Sequence, residues 1–310
     1  MGLRIKTNVA SLNAQRRLGI STEQLNNSGN KLASGERINK AADDAAGLAI
    51  SENLRADVRS LNMARRNAND GVSLVQTAEG GLMETTNMLI RLRELAVQAS
   101  SDTVGTQERG FLDQEYQALK LEIDRIANST EFNGTRLLVG QVELPEDMKG
   151  NENQFPLEVQ ISKDYYVDTD ALDKANPTNI IRIDLQNMNA FSQGENSLQL
   201  NESTTGEELA GITEKRQAQL SINRLDSAIS QVNEYRAYLG AIQNRFGSTI
   251  QNLGVQIENL DTARSRIRDT DFASETAEYT KTKILQQAGT SVLTQANAQP
   301  QIALGLLQSM

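Results

Sequence analysis

The sequence predicts a mainly α protein. Its N- and C-terminal segments form a long antiparallel helical bundle or coiled coil, interrupted by a β-hairpin and a small β-rich insert. Three observations carry this. First, positions alternating by four and three from Leu54 (Val58, Leu61, Arg65, Ala68, Val72, Val75, Glu79, Leu82, Thr86, Leu89, Arg93, Ala96) are apolar at nine of thirteen places, which is a heptad seam. Second, the same alternation from Leu225 (Ile229, Val232, Arg236, Leu239, Gln243, Phe246, Ile250, Leu253, Ile257, Leu260, Arg264, Ile267) is apolar at ten of thirteen. Third, residues 141–208 between the seams hold three of the four prolines, and their apolar period becomes two: Phe155, Leu157, Val159, Ile161, then Ile181, Ile183, Leu185, then Leu198, Leu200.

Taken in order, residues 1–43 come first. They form an amphipathic helix in which Ile5, Val9, Leu12, Leu18, Leu25 and Leu32 are spaced by three, four, six or seven, closed by Gly35 as a C-cap and followed by a connector. Asp43 or Asp44 then caps the next helix, because a carboxylate there accepts from free N–H groups and opposes the dipole. That helix opens the segment 44–140 and runs to about Ser100, roughly 80 Å at ~1.5 Å per residue. Gly71, Gly80 and Gly81 inside it cost roughly 1 kcal/mol each against Ala, so packing has to offset them. A turn at 102–105 leads to a helix over 106–129. Asn133-Gly134 then marks a two-residue hairpin turn. The β-rich insert at 141–208 reads as surface structure whose removal, over 145–205, assembly would tolerate. Helix resumes over 209–268, breaks at Asp269-Thr270-Asp271, and runs through 269–310, with Pro300 as a kink or frayed point.

Composition narrows the function. The chain has no Cys and no His, which removes disulfides, thiolate and imidazole metal sites and Ser-His triads. Net charge is −9, against a nucleic-acid surface. The charge is concentrated: residues 141–208 carry 14 acids and 4 bases, whereas the rest carries 26 acids and 27 bases. A nearly neutral body suits close packing of many copies, and an acidic insert suits solvent. No run reaches the length of a membrane-spanning helix, and no continuous apolar stretch follows Arg4 and Lys6, so targeting rules alone place the chain in the cytoplasm. Asp168, Asp170 and Asp173 lack the Gly and Glu of a calcium loop and read as acidic solvent residues. No cofactor is implied. The two amphipathic ends most simply bury each other and their copies in neighbouring subunits.

Several stretches resemble bacterial flagellin, in the family's order, over about residues 1–140 and 212–310. They are Leu32 to Asn39 with Ala42 to Ile50, Arg66 to Gly71, Gln76 to Gly80, Arg93 to Gln98, Glu131 to Gly134, and Ile284 to Asn297. The resemblance implies that the terminal helices form an inner tube of the flagellar filament and the long seams an outer tube, with the insert on the surface. It implies secretion, partly unfolded, through the flagellar type III apparatus. The implied partners are further copies of the chain, an export chaperone on the C-terminal helix, and the hook-associated junction and cap proteins. Filament-core contacts would fall to Ile5, Val9, Leu12, Leu25, Leu32, Ile284, Leu285, Val292, Leu304 and Leu307. It also implies contact with a host innate receptor through Arg91, an exposed Leu95 and Glu115. Exposed Ser and Thr of the insert, such as Ser192 and Thr204, are glycosylation candidates in such a family. Two other classes stay open at this point: a hook–filament junction protein, which shares such ends but forms a short ring, and an enzyme, for which no nucleophile–base pair or phosphate loop is visible. The six polar seam residues Arg65, Glu79, Arg93, Arg236, Gln243 and Arg264 either fix register or lie at the seam edge.

Overall fold

The computed structural model describes residues 8–140, 157–164, 179–190, 198–200 and 211–308, the last ten of these as backbone. Its helices are α1 (Val9–Ser34), α2 (Ala45–Ala99), α3 (Thr106–Ser129), α4 (Lys215–Arg268) and α5 (Phe272–Gln308). Its strands are β1 (Glu131–Phe132), β2 (Thr135–Arg136), β3 (Leu157–Gln160) and β4 (Ile180–Ile183). The chain forms two compact units, 1–58 with 258–310, and 59–257.

The larger unit is organised by α2 and α4, which run antiparallel. Arg93 meets Asp226 at 2.6 Å, the Phe246 ring lies over Gly71, and Arg236 approaches Glu79 at 4.0 Å. The seam is a heptad with one correction. Seven of its positions are as expected (Val58, Leu61, Ala68, Val75, Leu82, Leu89 and Ala96 are buried), but the alternate ones from Arg65 onward sit one residue earlier, at Ala64, Gly71, Ala78, Thr85 and Leu92, a phase that continues to Ala99. On α4 the buried partners of Leu225, Val232 and Leu239 are likewise Ala228, Tyr235 and Ile242. The reason is size. The true alternate positions on α2, Leu92 apart, are small, which lets the helices approach and admits the large side chains of α4. At Gly71 a Cβ would lie 2.6 Å from the Phe246 ring. The polar residues Arg65, Glu79, Arg93, Arg236 and Gln243 therefore flank the seam, and three of them pair across it, Arg93 with Asp226 and Arg236 with Glu79.

Helix α3 returns alongside α2, tied by Arg109 to the carbonyls of Ala99 (2.8 Å) and Ser101 (2.9 Å). Asn133 and Gly134 have φ of 51° and 81°, the pair of positive values that a two-residue hairpin demands. The hairpin stops at Arg136, because Leu137 and Leu138 turn into the core instead of continuing the strand. Strands β3 and β4 pair antiparallel with Leu157 opposite Ile183. They are held to the helices by Asn67 Nδ2 donating to the Gln160 carbonyl, and by Tyr235 and Tyr238. These two tyrosines stack at 6.0 Å and bond Asp184 just after β4.

The insert is not a detachable surface piece. Ile181, Ile183, Leu185, Met188, Ala190, Leu198 and Leu200 share one core with α2, α3 and α4. Excision of 145–205 would open that core, so the expected tolerance is withdrawn. Asp113 and Asp124 of α3 accept from the backbone of Ile212 and Ala190, tying the insert and the segment before α4 to one helix. Use of the Ile212 amide in this way, with its side chain fully buried, delays α4 to Lys215, later than the sequence suggests. Phe155, Asp168, Asp170, Asp173, Ser192 and Thr204 lie outside the described residues.

A candidate assembly surface on the terminal helices

In the smaller unit α1 and α5 pack antiparallel. Asn8 caps α1 by accepting from the Ser11 amide (3.0 Å), and its own amide donates to the Ala296 carbonyl (2.8 Å). Ser11 Oγ donates to Asn297 Oδ1 at 2.7 Å, and Gln286 donates to Thr22 at 3.3 Å. Gly29 lies under the Tyr279 ring, and Leu18 touches Gly289. The residues buried between these two helices are small: Ser11, Ala14, Ser28, Thr282 and Ala296.

The large apolar side chains are elsewhere. Val9, Leu12, Ile20, Phe272, Ile284 and Val292 are all more than 50% exposed, and Leu285 is 48% exposed. At about 100° per residue, Val9, Leu12 and Ile20 share one side of α1, opposite the side that carries Ala14, Leu18 and Leu25. Helix α1 thus has two apolar faces. One is closed by α5 through small residues and half-buried leucines, Leu18, Leu25 and Leu32 among them, and the other is open. Of the assembly residues expected from sequence, Val9, Leu12, Ile284, Leu285 and Val292 fall on open faces. Ile5 and the side chains of Leu304 and Leu307 lie outside the described residues. Ile20 and Phe272 belong to the open set but went unnoticed, although Ile20 follows Val9 and Leu12 at spacings of eleven and eight.

Two further expectations are corrected. Asp44 is the helix cap, its Oδ1 accepting from the Gly47 amide at 2.8 Å. Asp43 instead closes the connector by accepting from the amides of Asn39 (3.1 Å) and Lys40 (2.9 Å), and these bonds, the Lys40 one foremost, hold its carboxyl below the usual range. In the larger unit, Arg91 bridges to Glu115 (2.8 Å) and Glu94 (2.9 Å), so two of the three expected receptor residues form one exposed pair across α2 and α3. Leu95 is 1% exposed and packs in the core, next to the buried seam residue Ala96. It is not the exposed Leu the sequence suggests.

Long paired helices with a dry interior, joined to a terminal pair that leaves its large apolar side chains open, define a self-assembling helical subunit. Family models bear directly on this: the bacterial flagellin N-terminal helical region matches residues 5–143, and the bacterial flagellin C-terminal helical region matches residues 222–307. The chain is 41% identical over 304 residues to a flagellin of Halalkalibacterium halodurans, covering 98% of this chain and 99% of that one. It is 42% identical over 322 residues to a flagellin of Bacillus subtilis, covering 99% and 100%. A solved putative flagellar hook-associated protein from Vibrio parahaemolyticus shares the fold, with a TM-score of 0.55 at 14% identity over 73% of this chain and all of that one. The chain belongs to the bacterial flagellin family. It is a structural subunit that polymerises into the flagellar filament of swimming bacteria, and its family is not one of enzymes. The family places it in the extracellular filament. Among the described residues no helix is long and apolar enough to cross a membrane.

Proposed function

We propose that the open apolar faces of α1 and α5 are the surface by which copies of the chain hold one another in the filament core. The single observation behind this is the inversion within the smaller unit: small side chains inside, large apolar ones outside. Burying the exposed half of one Val, Leu or Ile against a neighbour is worth about 1 kcal/mol. Many such contacts repeated along a polymer offset the cost of association. On this reading residues 1–43 and 269–310 form the inner tube, 44–140 and 209–268 the outer tube, and 141–208 the outer surface. A pair closed mainly by small residues costs little to open, which supports export in a partly unfolded state through the type III apparatus. Before assembly, a chaperone would cover Ile284, Leu285 and Val292 on α5, and the junction and cap proteins would meet the same faces at the filament ends. A host receptor would engage the exposed Arg91–Glu115 pair, with Leu95 supporting it from below.

The test is seeded polymerisation followed by electron microscopy. Leu12→Ser with Ile284→Ser is expected to raise the critical concentration roughly tenfold or more, at about 1 kcal/mol per side chain. The monomer's circular dichroism should not change. Filaments that form at the normal concentration would refute the role given to these faces.

A further inference from the structure

We infer that Arg268 is a positioning residue for assembly: an ionic latch that closes the paired connectors of the smaller unit and thereby sets the filament's helical pitch. The pitch part of this rests on the filament reading above. Helix α1 ends at Gly35, whose φ of 72° is left-handed, and α5 begins after Asp269-Thr270-Asp271. These two short connectors are the only covalent routes from α1 and α5 to α2 and α4. They are paired. Arg37 N donates to the Arg268 carbonyl at 2.6 Å, Thr270 N donates to the Gly35 carbonyl at 3.0 Å, and Glu36 and Asp269 form an antiparallel bridge. The Arg37 guanidinium adds a bond to the Ile267 carbonyl at 2.7 Å.

Arg268 fixes this crossing from the side. Its Nη2 donates to Glu36 Oε2 at 2.9 Å, its Nε lies 2.9 Å from Glu36 Oε1, and its Nη1 donates to Glu52 Oε1. One cation therefore joins three segments: the first connector, the second turn of α2 and the last residue of α4. At 17% side-chain exposure it is less exposed than Arg93 or Arg236 in the ion pairs of the seam, so it is screened less than they are. Glu36 and Glu52 are held within reach of one another and would repel without it. A guanidinium offers nitrogens in a planar fork to two carboxylates at once, and a lysine ammonium offers one point. Arg55, 2.6 Å from Glu52, stays on α2 and cannot reach the connector's role. The latch thus determines how α1 and α5 leave α2 and α4. In a helical polymer a small change in that exit angle, repeated in every subunit, changes the pitch.

The experiment uses the full chain with Arg268→Met, Arg268→Lys and Glu52→Gln. Hydrogen exchange of the monomer reads the latch, and electron microscopy of seeded filaments reads the pitch. Expected for Arg268→Met are exchange at Arg37 and Thr270 at least tenfold faster, unchanged thermal unfolding of the 59–257 unit, and filaments of altered pitch. Arg268→Lys should recover less than half of each change. Wild-type exchange rates in Arg268→Met would overturn the latch, and fast exchange with wild-type pitch would overturn its role in assembly. If Arg268→Met makes no filaments, Glu52→Gln, which keeps the Glu36 arm, decides: an intermediate pitch supports the inference and a wild-type pitch refutes it. If the unaltered chain made no filaments, the functional reading would fail, while the exchange rates would still decide the latch.

Discussion

The chain contains two antiparallel helix pairs that solve the same problem in opposite ways. Between α2 and α4, small residues on one helix receive Leu225, Val232, Tyr235, Leu239, Ile242 and Phe246 from the other, and almost every large apolar side chain of the seam is dry. Between α1 and α5 small residues lie on both sides beside half-buried leucines, and Val9, Leu12, Ile20, Ile284 and Val292 are turned outward. The first pair is complete in one chain. Among the described residues the second leaves large apolar side chains exposed, and on the reading proposed above another copy covers them. On that reading stability and assembly fall to separate residues of one sequence.

The largest expected effect tests that separation. Phe246→Ala should cost the monomer about 3–5 kcal/mol by leaving a cavity over Gly71. Val292→Ala, at a residue 58% exposed, should change monomer stability by less than about 0.5 kcal/mol. Urea unfolding of both variants checks this, and equal losses would erase the contrast. Next, Gly71→Ala should destabilise by about 1–3 kcal/mol although Ala is the better helix former, because its Cβ would meet the rigid Phe246 ring. The counterpart Gly19→Ala, with open space around it, should be neutral or stabilising by up to about 1 kcal/mol.

A separate test of the larger unit is its pH dependence. Burial of Lys120 on α3 pushes its ammonium down to about 8 from an ordinary 10.5, opposed by Asp113 and Asp124, and its Nζ lies 5.6 Å from the centre of the Tyr116 ring. The folded chain gives up this proton before the unfolded chain does. Stability from this group therefore rises between pH 8 and 10.5 and is lost as pH falls through 8. Burial of Tyr116 acts in the other direction. Its hydroxyl is pushed up to about 12 from 10.0, so the unfolded chain ionises first and stability falls above pH 10. Urea midpoints from pH 7 to 11 should show a shallow rise and then a fall. Lys120→Met should remove the rise and keep the fall.

Much of this was legible in the sequence because periodicity survives without structure. The five helices, the Asn133-Gly134 turn and the antiparallel return of the second seam on the first all follow from spacing. The phase of alternate seam positions did not. Counting apolar residues favours Val72 over Gly71, yet close helix approach is bought with small side chains, and a hydrophobicity count cannot see that. The place of 141–208 failed for a related reason. Acidic composition read as solvent exposure, while its alternate residues, Ile181 and Ile183 among them, were filling the core. Leu95 was misplaced because its burial depends on the core beyond the α2 seam, which no spacing within α2 reveals. Arg268 sat unnoticed at a helix end, since its two carboxylates are distant in sequence.

The seven-residue phase of the α2–α4 seam has a mechanical consequence. A strict repeat of seven falls about 20° short of two straight helical turns, so the helices must wrap left-handed to keep the seam closed. Over the heptads from Leu61 to Ala99 this lag reaches roughly 100°. Two wires laid in one hand tighten when twisted one way and slacken when twisted the other. A shaft made from such pairs does not resist both senses of rotation equally, and that asymmetry is already written into the spacing of alanines and leucines.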